Sequence, residues 1–290
     1  MDSPLLCYDA SMRPRPFTLT QSAVTVLALG WSDFVLKYRG SVLGYLWSLV
    51  NPLVKFVVIL YIFGPYVSPS IPQYPLYLFL GIIIWEHFAT TTTACMNMLF
   101  EKSQIIRHLP FPTILLILSE GWTNLIVFTT HVFIFLLFAW SQGAALSFSV
   151  FYLMIIAIQM TLFSLGVGML LASYALRYRD VSHLWSVAVQ ILFWLTPVMY
   201  PYAATMPVLT RLGLFFRGEG LRSPMEAVRL FIEAQPLAII INDARRAALY
   251  AVHSMPTFAH VIGVTLVCCM VFFAGTALFR RRSPFFPQEY

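Results

Sequence analysis

Glu86, Glu120 and His131 are ionisable side chains set inside runs of apolar residues. Trp85 and His87 flank Glu86, residues 90–93 are all threonine, and Asn124 follows Glu120 by four positions. Two carboxylates and an imidazole are groups that serve general acid–base chemistry, so this set alone allows an integral membrane enzyme that modifies a glycan or transfers an acyl group. A second set is cationic: Lys37, Arg39, Arg177 and Arg179. Convergent Arg and Lys donors bind phosphate, which suits a phosphate-bearing lipid headgroup, while basic residues at the ends of membrane segments also serve as plain anchors. A third set is the short charged stretch 101–112, with Glu101, Lys102, Ser103, Gln104, Arg107 and His108 ahead of Pro110 and Pro112. There is no G-x-x-x-x-G-K-[ST] phosphate loop, no H-E-x-x-H and no G-x-S-x-G. No metal site and no cofactor bound by this chain is expected, and any driven transport would draw its energy from another subunit.

The elements that must position these groups are membrane helices. Of 290 residues, 59% are hydrophobic and 10% charged, and the mean hydropathy is +0.78, which excludes a soluble globule and predicts an all-α polytopic integral membrane protein forming one domain. Six spans are predicted, at 46–67, 76–99, 113–140, 148–174, 181–200 and 258–279, each near the ~20 residues that a helix needs to cross ~30 Å of hydrocarbon. The net charge of +6 is scattered over loops and span ends without a dense basic run, which argues against nucleic acid as a partner. Cys7, Cys95, Cys268 and Cys269 show neither a disulfide pattern nor metal spacing. The first 20 residues lack an apolar core followed by a cleavage site, so no removed signal is expected.

Ahead of the first span, residues 20–44 read as an amphipathic interfacial helix, with Leu27, Trp31, Phe34, Tyr38 and Val42 on one face and an Asp33–Lys37 pair on the other. Asn51–Pro52 suggests a helix start or kink within the first span, and Lys55 must snorkel or face protein. On the third span, Glu120, Asn124, Val127 and His131 fall within about 60° of one another at 100° per residue. That face either lines a path or packs against another helix, and Glu86 likewise faces a cavity or makes a buried hydrogen bond. Ser164, Gly168 and Ala172 form a small-residue stripe suited to close helix packing. Residues 202–257 are too polar to span and contain two short amphipathic helical patterns. Arg280, Arg281 and Arg282 mark a cytoplasmic stop, and an even number of spans puts both termini on that side.

Three stretches, KYRGSVLGYLWSLVNPL, FEKSQIIRHLPFP and RYRDV before a span ending TPVMYP, occur in an order that resembles the permease subunit of type-2 ABC exporters, within the group exporting O-antigen, teichoic acid and related lipid-linked polysaccharides. The resemblance implies a homodimer of six-span subunits in a bacterial cytoplasmic (inner) membrane. It also implies a separate ABC ATPase that holds ATP and Mg, and a polyprenyl-diphosphate-linked glycan as cargo, as in lipopolysaccharide biosynthesis. On this likeness 101–112 is the segment that docks on the ATPase, Lys37, Arg39, Arg177 and Arg179 meet the diphosphate, and Trp85, Glu86, Glu120, Asn124 and His131 border the path. Short helices within 202–257 flank the exit, although Gln235 stands where the family usually has Asn. An exporter of drugs or small lipids is the neighbouring alternative.

Overall fold

Thr18 opens the first helix with a reciprocal cap. Its hydroxyl accepts from the Gln21 backbone N–H at 3.3 Å, and its own N–H donates to Gln21 Oε1 at 3.1 Å. The computed structural model describes residues 18–40, 44–102, 112–144, 148–175, 177–178, 180–200, 235–249 and 256–282, and the helix that follows Thr18, α1 (Leu19–Tyr38), is the first of eight α-helices among those described residues. The others are α2 (Trp47–Val67), α3 (Tyr74–Glu101), α4 (Thr113–Ser141), α5 (Tyr152–Ala175), α6 (Asp180–Leu195), α7 (Pro236–Leu249) and α8 (Phe258–Arg282). No strand occurs among the described residues.

The bundle is built around α3. It is the most buried of the long helices, from Tyr74 to Leu99, and α2, α4, α5, α6 and α7 all pack against it. The pairing Lys102–Glu120 at one end and Phe79–Phe138 at the other sets α3 antiparallel to α4. His87 against Thr161 and Phe88 against Phe163 set α3 parallel to α5. The small-residue stripe of α5 faces α3: a Cβ on Gly168 would lie 2.6 Å from Cys95 Cβ, and Ser164 and Ala172 are buried. On the opposite side Gly166 meets Gly275 of α8, where a Cβ would sit 2.3 Å from the Gly166 carbonyl oxygen, so these two backbones touch. Arg282 Nη1 donates to the Ser173 carbonyl at 3.3 Å, its guanidinium over Tyr174, which brings the last arginines to the end of the bundle that also holds Lys102 and Arg177. That end is called the basic end below.

Among the described residues, six helices are long and apolar enough to cross a membrane by length and composition, and this set differs from the predicted spans at two places. The first is α1, with 20 residues of sufficient hydropathy, where the sequence predicts an interfacial helix. It runs along α4 through Gly30, whose missing Cβ admits Trp122 and the Ser119 carbonyl. The expected Asp33–Lys37 pair is absent from the described ion pairs: Asp33 is engaged by Lys102 and Lys37 lies over the Tyr38 ring. The second is α6, which stops at Leu195 after 16 residues, roughly 24 Å, instead of continuing to 200. Pro197 cannot donate to the helical ladder, and residues 196–200 turn inward, with Thr196, Val198 and Met199 buried.

The freed carbonyls of that turn are met by protein groups. Tyr74 donates its hydroxyl to the Met199 carbonyl at 3.0 Å, and Arg245 of α7 donates to the carbonyls of Tyr77, Pro197 and Val198 at 3.2, 2.7 and 2.5 Å while its guanidinium lies over the Tyr77 ring. The α7 helix confirms the second helical pattern in 202–257. It is no surface helix, however, because nine of its 14 residues are buried among α3, α5 and α8. Burial pushes the Asp243 carboxyl above its ordinary value even though His260 Nε2 lies 2.9 Å away. The first of the two patterns, residues 225–234, lies outside the described residues.

Candidate functional site

The α2 helix begins at Trp47, five residues before Pro52, so that proline lies inside the helix and not at its start. Pro52 has no N–H to give to the Ser48 carbonyl four residues earlier. His131 of α4 takes that place, with Nε2 3.2 Å from the Ser48 oxygen, which fixes the tautomer that carries the proton on Nε2. One turn back on α4, the Tyr45 hydroxyl donates to the Val127 carbonyl at 3.4 Å. These contacts hold the start of α2 against α4 by its backbone, leaving side chains free to enclose a space.

That space is a cavity of about 320 Å³ between the end of α1, the start of α2, the middle of α3 and the polar face of α4. Lys37 and Tyr38 stand on the α1 side, Ser48 and Asn51 on α2, Glu86, His87 and Thr90 on α3, and Asn124, Val127 and His131 on α4. Glu86 pairs with Lys55 of α2, which answers how a lysine is kept within the first span: it faces a carboxylate. His87 is buried, its Nε2 3.0 Å from the Thr161 hydroxyl and its ring 4.6 Å from that of Phe128. The Asn124 amide donates to the Glu120 carbonyl at 2.9 Å. The cavity therefore presents one cation at its rim, an ion pair in its wall and several hydroxyl, amide and imidazole groups, set in otherwise apolar helices.

Of the residues singled out from the sequence, Lys37, Glu86, Asn124 and His131 meet at this cavity. Trp85 points elsewhere, buried against Phe88 and Phe193. Glu120 lies one turn from Asn124 toward the basic end, in a triad in which Lys102 Nζ is 2.5 Å from Asp33 Oδ2 and 3.1 Å from Glu120 Oε1. Burial alone would lower the Lys102 ammonium, but the Asp33 and Glu120 carboxylates outweigh it and hold its pKa above the ordinary 10.5. Arg39 is exposed just past α1, and Arg177 is exposed with its guanidinium over Tyr178; neither lines the cavity. Glu101 is exposed at the end of α3, while Arg179, Ser103, Gln104, Arg107 and His108 lie outside the described residues.

Glu86, Glu120 and His131 do not converge as an acid–base set, since each is engaged by a different partner: Lys55, Lys102 and the Ser48 carbonyl. No group of three His, Cys, Asp or Glu side chains that could hold a metal occurs among the described residues. Sequence reasoning missed Lys102 as the shared partner of Asp33 and Glu120, and Arg245 as the group that closes the turn after α6. The signal for His131 was present: an intrahelical proline frees a carbonyl, and a histidine in a neighbouring span can supply the donor.

The ABC-2 type transporter family model matches residues 25–215. The chain is 24% identical to the O-antigen export system permease protein RfbA of Myxococcus xanthus over 265 residues, covering 91% of this chain and 94% of that protein. It is 31% identical to a protein of the same name from Klebsiella pneumoniae over 170 residues, 58% of this chain and 65% of that one. Over 181 residues it is 19% identical to the polysialic acid transport protein KpsM of Escherichia coli, 61% of this chain and 70% of that protein.

Proposed function

Since the chain belongs to the ABC-2 type transporter family, we propose that it is the transmembrane subunit of an ATP-driven exporter of polysaccharide, a permease without an ATPase site of its own. The observation that carries this reading is similarity along nearly the whole chain to a permease named for O-antigen export. The cargo is a glycan joined to a polyprenyl diphosphate, and the membrane is the bacterial cytoplasmic one. Two copies of the chain pair around the path, with a separate ABC ATPase, in two copies, on the cytoplasmic face. The basic end belongs on that face, because Lys102, Arg177 and the final arginines gather there. Both termini are then cytoplasmic, and residues 101–112 face the ATPase.

The cavity supplies the receiving site for the headgroup. Lys37 at its rim, with Arg39 just beyond, offers cationic donors to the diphosphate, and the hydroxyl and amide groups inside take the first polar atoms of the cargo. Arg177 adds a basic side chain at that end, and Arg179, two positions later in the sequence, is assigned to the same headgroup. Purification tests the assignment: the chain brings an ABC ATPase with it, and cells lacking the chain accumulate an intracellular lipid-linked glycan. Turnover of a glycan or acyl donor by the chain alone, or accumulation of a drug or small lipid, overturns it. Lys37→Gln with Arg39→Gln reduces export while abundance and membrane insertion stay unchanged; normal export by that pair removes the headgroup site from the cavity.

A further inference from the structure

Lys102 is the last described residue before the segment 103–111, and its ammonium is shared by two carboxylates from two other helices. We infer that Lys102 is the positioning residue through which a displacement at the end of α3 reaches the mouth of the cavity, by way of Asp33 on α1. The inference rests on the reading of residues 101–112 as the part that meets the ATPase.

Four observations carry it. The side chains of Lys102, Asp33 and Glu120 are between 16 and 24% exposed, so the three charges are largely withdrawn from water and separating them is costly. Next, α1 and α4 are locked together independently of Lys102: Gly30 lies against Ser119 and Trp122, and the Thr123 hydroxyl donates to the Gly30 carbonyl at 2.9 Å. The end of α3 is thereby tied to a preassembled α1–α4 pair, and Glu120 lies about two turns into the helix that leaves the segment on its other side. Finally, Asp33 precedes Lys37 by four residues, about 6 Å along a continuous helix, and Lys37 and Tyr38 form the α1 side of the cavity. A displacement of Lys102 therefore arrives at the cavity rim through one turn of helix, without a flexible joint.

The test uses the permease purified with its ATPase in lipid nanodiscs, native cysteines replaced by alanine, and an environment-sensitive fluorophore on Leu36→Cys, an exposed position next to the rim. ATP changes the signal in the parent complex, Lys102→Met lowers that response by at least about fivefold, and Lys102→Arg retains most of it. The exchanged pair Asp33→Lys with Lys102→Asp recovers the response lost in each single variant. If Lys102→Met does not accumulate, Asp33→Asn, which leaves the Lys102–Glu120 contact in place, carries the same readout. An undiminished response in the substituted complex, or none in the parent, overturns the inference. Replacing 103–108 by Gly and Ser tests the ATPase-facing reading separately: if complex formation and export survive that change, the reading fails. A normal requirement for 103–108 with an unchanged Lys102→Met response sinks only the role of Lys102.

Discussion

The pairing of a proline in one helix with a histidine in another can be tested by a double-mutant cycle. His131→Leu keeps volume in the cavity wall and removes the donor that serves the Ser48 carbonyl. A polar group left unsatisfied away from water costs about 1–3 kcal/mol, and hydrogen bonds between membrane helices measure up to ~1.7 kcal/mol, so His131→Leu alone destabilises by roughly 1–2 kcal/mol. Pro52→Ala restores a backbone N–H four residues after Ser48, within a helix that runs without a break from Trp47 to Val67. In the Pro52→Ala background the carbonyl has its own intrahelical donor, and His131→Leu then costs about 1 kcal/mol less than in the parent. Reversible unfolding of the four proteins in mixed micelles, followed by tryptophan fluorescence across an SDS titration, gives the coupling directly. Costs that add to within about 0.3 kcal/mol refute the account, and the proline and histidine are then independent.

Three further outcomes are expected. Gly275→Val forces the α5 and α8 backbones apart and destabilises by about 3 kcal/mol or more, whereas Gly263→Ala, with nothing within 4 Å of its added Cβ, changes thermal stability little. Arg245→Met leaves the carbonyls of Pro197 and Val198 without their side-chain donor, costs about 3 kcal/mol, and exposes the turn after α6 to protease added from the far side of the membrane. Because the Lys102 pKa is raised in the folded protein, its contribution is fully present below the ordinary 10.5 and is lost as pH climbs past the folded value. Protection of the α1 amides, taken relative to the base-catalysed intrinsic exchange rate at each pH, is thus steady through neutral pH and falls only in strong alkali, while Lys102→Met lowers that protection at neutral pH and abolishes its alkaline fall.

The helices were legible because a 20-residue apolar run leaves few alternatives in a membrane, and the bounds of α3, α4 and α8 fall within about three residues of those read from hydropathy. The polar face of α4 was legible for the same reason, from angular spacing alone. What pattern could not give was partnership. Asp33 has Lys37 four residues away on its own helix, yet it binds Lys102, because α1 lies along α4 and that contact is tertiary. The span read as 181–200 takes in both α6 and the turn after it, and the helix stops at Leu195 because Pro197, where a helix is expected to kink or stop, cannot continue the ladder. The region before Phe258 reads as surface by polarity, but Asp243 and Arg245 are buried with partners on α8 and on the turn. Burial of a charged side chain depends on what waits inside, and that is written elsewhere in the chain.

The turn after α6 also fixes an order of events during synthesis. The carbonyls of Pro197 and Val198 have Arg245 as their donor, 48 and 47 positions later in the chain. At roughly 5–20 residues per second, some ~2–10 seconds separate the two ends of that contact at the ribosome. For that interval α6 is a hydrophobic segment with an unfinished terminus, inserted before the residue that completes it exists. Water, lipid headgroups or the insertion machinery must hold those oxygens meanwhile, which makes the insertion of α6 the point in biogenesis where a slowed or truncated chain is most readily left for quality control.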